Sequence, residues 1–314
     1  MAADEMRKDA SIYVAGHRGM VGSALVRRLR AGGYTKLVLR PRAELDLLDQ
    51  RAVREFMAAE RPDYVFVAAA KVGGIQANNI YRADFLHDNL VIETNLVRAA
   101  HDAGVVRMMF LGSSCIYPRD CPQPIKEEYL LTGPLERTNE PYAIAKIAGL
   151  KLCEAFNAQY GRRYVSVMPT NLYGPEDNYD LAASHVLPAL IRKTHEAKAR
   201  GDAELVVWGS GTPRREFLYV DDLADACVFL MERDTSPELL NIGAGEDLSI
   251  AELAEIVMRV VGFHGRVVYD QTKPDGTPRK LLDVSRMDAL GWRAKTPLRE
   301  GIAMAYKQFK EEVE

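Results

Sequence analysis

Short apolar segments alternate with longer segments of helical periodicity in the first half of the chain. Five segments rich in β-branched and other apolar residues have the length of buried strands: SIYVA, KLVL, YVFVAA, RMMFLG and YVSVMP. Between and after them, helices are predicted over residues 21–31, 50–60, 84–103 and 142–160. Strands and helices that alternate at this spacing form right-handed βαβ units. The pattern therefore predicts an α/β fold with a doubly wound parallel sheet.

The pattern is looser after residue 173, where segments such as LYGPEDNYD and WGSGTPRREF carry glycine and proline. Further helices are predicted over residues 184–200, 221–232, 250–261 and 298–311. We therefore expect a smaller second α/β lobe, with ligands in the crevice at the carboxyl ends of the strands. The predicted boundaries give residues 1–172 and 218–243 to the sheet domain, and residues 173–217 and 244–314 to the lobe.

Composition excludes several classes of protein. The chain has 314 residues, 47% of them hydrophobic, so it can bury a large core, and its net charge of -3 gives no basic surface for nucleic acid or an anionic membrane. No apolar stretch approaches the ~20 residues that span a bilayer, and the polar start is unlike a signal peptide. The cysteines form no CxxC pair, so we predict neither a zinc site nor another metal site, and we expect a cytoplasmic protein.

A glycine-rich turn follows the first predicted strand in the segment GHRGMVG. Gly16, Gly19 and Gly22 have the spacing GxxGxxG, which differs from the dinucleotide fingerprint GxGxxG but occupies the same strand-to-helix junction. Glycine allows backbone to approach a phosphate closely, and the N–H groups at the start of the next helix receive the anion. The alternative is an ordinary βα turn. The position in the first βα unit favours dinucleotide binding.

The end of the second predicted strand indicates which dinucleotide is preferred. An NAD site usually places an acid there to bind the ribose 2′-hydroxyl, whereas this chain has Arg40 and Arg42, with Arg18 inside the glycine turn. Guanidinium groups suit a 2′-phosphate, so the sequence favours NADP(H) over NAD(H). Glu44 and Asp46, close by, leave NAD open.

Tyr142 and Lys146 lie one turn apart in the stretch NEPYAIAK, which opens a predicted helix. Residues at i and i+4 share a helix face. An ammonium group near a phenol favours the phenolate, so we expect Lys146 to lower the pKa of Tyr142 from about 10. The alternative is a packed tyrosine beside a solvated lysine. The hydroxyl-rich segment FLGSSCIYP, at the end of the fourth predicted strand, favours a reactive site.

Motifs along nearly the whole chain resemble those of the extended short-chain dehydrogenase/reductase family: GHRGMVG, AAAKVGG, LGSSCIYP, NEPYAIAK, MPTNLYGP, WGSGTPRREFLYVDDLA and KPDGTPRKLLD. The resemblance implies a Rossmann fold that binds NADP(H). The segments LGSSCIYP, AAAKVGG and KPDGTPRKLLD are most similar to those of bifunctional enzymes acting on a GDP-sugar. Such enzymes epimerise GDP-4-keto-6-deoxy-D-mannose at C3 and C5 and reduce its C4 ketone with NADPH, giving GDP-L-fucose. A homodimer is implied as well.

The resemblance implies roles for the reactive groups. Tyr142 would protonate the reduced carbonyl oxygen, Lys146 would hold the nicotinamide ribose, and Ser113 or Ser114 would orient the ketone. The implied acid–base pair for epimerisation is Cys115 and His185, because thiol and imidazole both titrate within reach of neutrality. Which of the two is the base stays open. Cys153 and Cys227, inside predicted amphipathic helices, are predicted to be core residues.

Two sets of binding residues follow from the same resemblance. The diphosphate of the substrate requires cations, its base requires a stacking surface, and its ribose requires hydrogen-bond acceptors. The implied coenzyme contacts are Gly16, His17, Arg18, Gly19, Met20, Val21, Gly22, Arg40, Arg42, Asp46, Leu47, Ala69, Lys146, Pro169, Asn171, Leu172 and His185. The implied substrate contacts are Asn171, Lys193, Trp208, Arg215, Asp275 and Lys280.

Two alternative functions are compatible with parts of the pattern. A nucleotide-sugar 4-epimerase or dehydratase would keep NAD tightly bound; the arginines after the second strand, and the serine and cysteine in place of a dehydratase's acidic pair, make it less favoured. A non-catalytic NADPH-sensing module would use the fold only for binding, and nothing in the motifs resembles a lost active site.

Overall fold

The computed structural model describes residues 6–181, 183–233, 237–273 and 275–313. Six parallel strands form the main sheet in the order β10-β5-β4-β3-β1-β2. They are β1 (Ile12–Ala15), β2 (Leu37–Val38), β3 (Tyr64–Val67), β4 (Arg107–Leu111), β5 (Arg163–Pro169) and β10 (Leu239–Ile242). The strand order reverses beside β1, as in a doubly wound sheet. The predicted α/β class is confirmed.

Each of the eight predicted helices is present; α2 and α8 have the predicted ends, and the ends of the others differ by at most two residues. Within the described residues, two short α-helices were not predicted, α3 and α9. The helices are α1 (Met20–Ala31), α2 (Gln50–Glu60), α3 (Ile75–Ile80), α4 (Arg82–Asp102), α5 (Glu140–Tyr160), α6 (Val186–Arg200), α7 (Val220–Met231), α8 (Ile250–Val261), α9 (Ser285–Leu290) and α10 (Leu298–Val313).

Both faces of the main sheet are covered, which explains why its strands are continuous apolar runs rather than alternating ones. The side chains of β1, β3 and β4 are buried throughout. One face packs against α1 and α7 in a cluster that includes Leu25 and Leu223. The other packs against α2, α4 and α5, with Met57, Leu96 and Leu150 in the cluster.

The second lobe consists of short strands around a third apolar cluster, in which Ile191, Leu253 and Ile302 from α6, α8 and α10 are fully buried. Strands β6 and β9 pair in parallel, as do β7 and β12, while β8 lies between β11 and β13. The bounds are β6 (Asn171–Tyr173), β7 (Glu204–Trp208), β8 (Arg214–Arg215), β9 (Phe217–Tyr219), β11 (Leu248–Ser249), β12 (Arg266–Asp270) and β13 (Arg279–Lys280).

The chain crosses between the two lobes more than once. After β5 it enters the second lobe, returns to the main sheet through α7 and β10, and then leaves again. Met287 and Trp292, in α9 and just after it, pack into the cluster under α1 and α7, although the predicted division assigns residues 244–314 to the lobe. The division into two domains stays a prediction. Within the described residues, no helix is long and apolar enough to cross a bilayer.

Candidate active site

A cleft of about 1250 Å³ extends from the carboxyl ends of the main strands to the second lobe. Residues directly after β1, β3, β4 and β5 line it, as the rule for open α/β sheets predicts. All the residues that the sequence assigned to catalysis, coenzyme and substrate line this cleft, except Gly22. The structure therefore brings together groups from positions 16 to 280, although their individual roles stay predictions.

Gly22 lies behind the cleft wall and determines its shape. An ideal Cβ at this position would collide with the carbonyl oxygen of Gly16, so only glycine lets α1 approach the turn this closely. Gly16 has a positive φ of 81°, and a Cβ there would lie 2.8 Å from the backbone of Ala69. Both glycines are thus required by the local backbone.

The amino terminus of α1 can receive an anion. Its N-cap residue, Gly19, provides no side-chain cap, and the first turn contains no acid. The first N–H groups of the helix have no intrahelical partner, and the helix dipole favours negative charge at this end. The turn therefore has the backbone chemistry of a phosphate site.

The three arginines of the predicted coenzyme site differ in how strongly they are held. Arg40 Nη2 lies 2.6 Å from Glu60 Oε1 in a half-buried ion pair. Arg42 is mostly exposed and its Nη2 lies 3.5 Å from Asp46 Oδ2, a pair that solvent weakens. Arg18 is exposed at the cleft. Arg18 and Arg42 are therefore the more available cations.

Lys146 is almost fully buried although it carries a charge. Its Nζ donates a hydrogen bond to the carbonyl oxygen of Leu111 at 3.0 Å, and it lies 3.0 Å from Glu93 Oε1. The Tyr142 ring centroid is 5.8 Å from Nζ. The helix therefore delivers both side chains to the cleft, as the i, i+4 spacing predicts.

The expected effect of Lys146 on Tyr142 was wrong. Burial raises the pKa of Tyr142 well above its usual value, and the charges of Cys115 and Glu93 raise it further, while a hydrogen bond with Ser113 opposes them. The ammonium of Lys146, 5.8 Å from the centroid of the Tyr142 ring, does not outweigh the effect of burial. Tyr142 is accordingly a protonated phenol, which suits a proton donor.

The charge of Lys280 acts on the pKa of both Cys115 and His185. Burial raises the pKa of the Cys115 thiol, and Lys280 partly opposes that rise. The imidazole of His185 reaches the solvent of the cleft, but desolvation by its other neighbours, and then Lys280, lower its pKa. The two pKa values move away from neutrality in opposite directions, so both groups are uncharged near neutral pH. Each is thereby poised to give or take one proton.

Two cations face the cleft from adjacent strands of the second lobe. The parallel pairing of β8 and β13 sets Arg215 opposite Lys280. Desolvation lowers the pKa of both side chains, and the Arg215 charge lowers that of Lys280 further. On the same strands, Arg214 Nε and Arg279 Nε both bind the carboxylate of Asp247. Asp247 thus neutralises the pair Arg214 and Arg279, whereas the cleft pair, Arg215 and Lys280, has the charge to bind an anion.

The remaining predicted substrate residues line the outer part of the cleft. Trp208 is 45% exposed, and Lys193 Nζ lies 4.5 Å from the centroid of its ring. Both carboxylate oxygens of Asp275 already accept hydrogen bonds from Ser210, from its N–H at 2.7 Å and its hydroxyl at 2.8 Å. Asn171 donates to the carbonyl oxygen of Glu216 at 2.8 Å, which fixes its amide at the wall.

Two polar residues on the buried face of α4 were not singled out from the sequence. Asn89 accepts from the N–H of Lys71 and donates to its carbonyl oxygen, so it fixes the AAAKVGG segment along the cleft. Glu93 pairs with Lys146. A signal existed, because Glu93 has helical spacing to the core residues Leu96 and Ala100, where a carboxylate is unusual.

In the part of the chain that the structure describes, no group of His, Cys, Asp or Glu could hold a metal ion.

The fold and the cleft together define a class of protein: a Rossmann-type oxidoreductase with a nucleotide turn in its first βα unit and a tyrosine–lysine pair at the same edge of the sheet. Comparison with known families agrees. The chain belongs to the NAD dependent epimerase/dehydratase family, whose model matches residues 12–243. The family expected from the motifs is thereby confirmed.

Close relatives cover almost the whole chain. GDP-L-fucose synthase 1 of Arabidopsis thaliana is 58% identical over 98% of this chain and 95% of its own length. GDP-L-fucose synthase of Escherichia coli (strain K12) is 57% identical over 96% of both chains. Among solved structures, a GDP-L-fucose synthetase from Naegleria fowleri bound to NADP is 30% identical, with a TM-score of 0.91 and coverage of 99% and 97%.

Proposed function

We propose that this protein converts GDP-4-keto-6-deoxy-D-mannose to GDP-L-fucose, by epimerisation at C3 and C5 and NADPH-dependent reduction of the C4 ketone. The observation that carries the proposal is the convergence, in one cleft, of a reducing set around Tyr142, an acid–base pair of Cys115 and His185, and paired cations. The relatives named GDP-L-fucose synthase, at 57 to 58% identity over nearly full length, support the same conclusion.

NADPH fits the inner half of the cleft. The uncapped start of α1 binds the diphosphate, and Gly16 and Gly22 keep that turn free of Cβ atoms. Arg18 and Arg42 bind the 2′-phosphate, with Arg40 behind them. Bound NADPH supplies the hydride that reduces the C4 ketone.

Epimerisation requires one proton to leave and one to return on the other face of the sugar at C3 and again at C5. The C4 ketone acidifies both carbons, since the electron pair left by the proton delocalises into an enolate. Cys115 and His185 carry out these transfers, one as base and the other as acid. The positive charge of Lys280 favours the enolate and partly opposes the burial that raises the pKa of the Cys115 thiol.

Reduction requires a proton on the C4 oxygen as it becomes an alkoxide. Tyr142 gives that proton, and Ser113, whose side chain partly opposes the rise in the pKa of Tyr142, orients the carbonyl. Lys146 holds the nicotinamide ribose and stabilises the phenolate that Tyr142 becomes. Because an alkoxide is far more basic than a phenolate, transfer from a high-pKa phenol is still downhill.

The outer half of the cleft holds the GDP moiety. Arg215 and Lys280 bind the diphosphate, which supplies the negative charge that these cations lack. The exposed face of Trp208 stacks with the guanine, and Lys193 extends the positive surface. Asp275 accepts from ribose hydroxyls with its remaining lone pairs, and Asn171 contacts the sugar side of the coenzyme site.

The test is direct. The purified protein is incubated with GDP-4-keto-6-deoxy-D-mannose and NADPH, absorbance at 340 nm is followed, and the stereochemistry of the product is assigned by mass spectrometry and NMR. Stoichiometric NADPH oxidation with inverted C3 and C5 is expected. An NAD-retaining 4-epimerase or dehydratase would consume no coenzyme, so a constant absorbance would reject the proposal.

The protein acts as a homodimer in the cytoplasm. Ile144 and Tyr160, on the surface of α5, are 43% and 47% exposed and give that helix an apolar surface for a second copy. All four cysteines are free thiols, as expected in a reducing compartment. Light scattering at micromolar concentration tests the dimer, and cell fractionation tests the location.

A further inference from the structure

Glu93 and Lys146 form an ion pair that is sealed from solvent. The two side chains are 1% and 2% exposed, and Lys146 Nζ lies 3.0 Å from Glu93 Oε1. Lys146 lines the cleft, whereas Glu93 does not, so the carboxylate lies behind the lysine. Glu93 can therefore reach coenzyme or substrate only through Lys146.

The packing of α4 against α5 leaves room for this carboxylate. Gly149 faces it, and an ideal Cβ at that position would lie 2.6 Å from Glu93 Oε2 and 2.5 Å from the ring of Phe110. Glycine inside a helix is less favourable than alanine. Gly149 thus stands at a position of the α4–α5 interface where a larger residue would otherwise make an apolar contact.

No contact other than the Lys146 ion pair accounts for a carboxylate at position 93 among the described residues. Apart from Lys146, neither carboxylate oxygen has a hydrogen-bond partner within the described residues. Desolvation raises the pKa of Glu93, with the Lys146 charge opposing the rise. A buried charge pair contributes little net stability compared with apolar residues of the same volume. Stability alone does not account for a carboxylate here.

We propose that Glu93 is a positioning residue for the ketone reduction, which keeps the Lys146 amine charged and fixes its direction toward Tyr142 and the coenzyme ribose. The inference rests on the proposed function. Leu111 accepts one of the three ammonium protons through its carbonyl oxygen and Glu93 accepts a second, which leaves the third for a ligand in the cleft that Lys146 lines.

The charge matters because Tyr142 becomes an anion when it gives up its proton. A nearby cation stabilises that phenolate in a site that excludes water. Without a counter-ion, burial favours the neutral amine, and the phenolate then forms without compensation. Removing Glu93 should therefore slow reduction and spare epimerisation, which uses other groups.

The decisive variant is Glu93→Gln, which keeps the shape of the side chain and removes its charge. We expect kcat for NADPH oxidation to fall about tenfold or more near pH 8, with the Kd for NADPH, from fluorescence titration, changed less than about threefold. The loss should shrink toward pH 6, as the amine regains its proton. Solvent deuterium uptake at C3 and C5, measured with oxidised coenzyme, should equal that of the wild type.

The pH profile isolates Lys146 because the other titratable groups facing Glu93 do not change charge in that range. Among the described residues they are Tyr142 and Cys153, both on α5, and burial raises the pKa of Tyr142 well above 10 and that of Cys153 to about 12. The neighbouring side chain from β4, Phe110, is uncharged.

A matched control is Glu154→Gln, which breaks the exposed Lys151–Glu154 pair on α5 and should leave kcat and its pH profile unchanged. In a Lys146→Met background, Glu93→Gln should lower kcat no further, because the carboxylate acts through the lysine. Wild-type kcat and pH profile in Glu93→Gln would overturn the proposal. So would an equal loss of reduction and exchange, which would mean a structural role only.

If Glu93→Gln does not fold, Glu93→Asp is measured instead. This variant keeps the carboxylate but withdraws it by one methylene. Slower reduction with unchanged exchange supports the proposal there, and full reduction with a lowered Tm overturns it. Failure of the proposed function is distinct, since the wild type itself would then show neither NADPH oxidation nor exchange.

Discussion

Arg215 and Lys280 lie side by side on two parallel strands, β8 and β13, and both line the cleft. Their outward neighbours, Arg214 and Arg279, share the carboxylate of Asp247, whereas the side chain of Arg215 donates to the backbone carbonyl oxygens of Arg214 and Asp275. Two desolvated cations repel each other, and binding a diphosphate relieves this repulsion. The strand register thus provides a site that favours a doubly charged ligand.

Lys280→Met should weaken binding of the GDP-sugar. We expect KM for the substrate to rise about tenfold, and its dependence on ionic strength to decrease, because one of the two diphosphate cations is lost. Steady-state kinetics at several salt concentrations measure both effects. Arg279→Met, on the outward side of the same strand, is the control, and an equal rise in KM for that variant would argue against the assignment.

Tyr142→Phe should abolish reduction while coenzyme binding persists. The expected loss in kcat is about 10²- to 10⁴-fold, because the phenyl ring has no proton to give to the alkoxide. Absorbance at 340 nm reports reduction and fluorescence titration reports binding. In a non-catalytic NADPH-sensing module, this change would be silent in every assay.

Cys115→Ser should slow the epimerisation steps. A hydroxyl is a far poorer proton donor and acceptor than a thiol near neutrality, so solvent deuterium uptake at C3 and C5 should fall by about 10²-fold or more. NMR of the recovered sugar measures uptake at each carbon. Cys227→Ser, at a core position, is the control, and wild-type uptake at both carbons in the Cys115 variant would remove that residue from the mechanism.

Deuterium uptake should fall on the acid side of the pH profile as His185 becomes charged. Desolvation and the Lys280 charge lower the pKa of His185, so its neutral form persists below the ordinary value of about 6.5 and is lost only at more acidic pH. In Lys280→Met, one of these causes is absent, and the acid limb should move to higher pH. An acid limb that stays in place would show that another group controls it.

Arg42→Ala should reduce the preference for NADPH. We expect KM for NADPH to rise about tenfold with little change in KM for NADH, because a charge-assisted contact to the 2′-phosphate is lost. Arg51→Ala on α2, whose side chain pairs with Glu55 at the surface, is the matched control. Equal changes for both coenzymes would place Arg42 outside the phosphate site.

The sequence predicted the architecture well because its signals are local. The apolar strands and the helical periodicity of α2 and α8 depend on neighbouring residues, and α8 is confirmed with the bounds expected from the pattern. The helices α3 and α9, with six residues each, are too short for a periodic signal and are held by tertiary contacts.

The site was predicted as a set of residues but not as a set of interactions. Tyr142 and Lys146 are one turn apart, so their proximity follows from the helix. The Glu93–Lys146 pair joins two helices, and the Arg215–Lys280 register joins two distant strands. Neither contact leaves a local pattern. The direction of the Tyr142 pKa shift was wrong chiefly because its largest cause, burial, cannot be read from the i, i+4 spacing.

The position of β10 at the edge of the main sheet has a consequence for biosynthesis. Its neighbour β5 is made about seventy residues earlier, before the ribosome has begun the strands of the second lobe. A nascent chain therefore carries an unpaired strand edge until Leu239–Ile242 emerges from the exit tunnel. Strands β1 to β5 can pair before the second lobe is made, and a chain that ends within that lobe would leave the edge of β5 open to pairing with other chains.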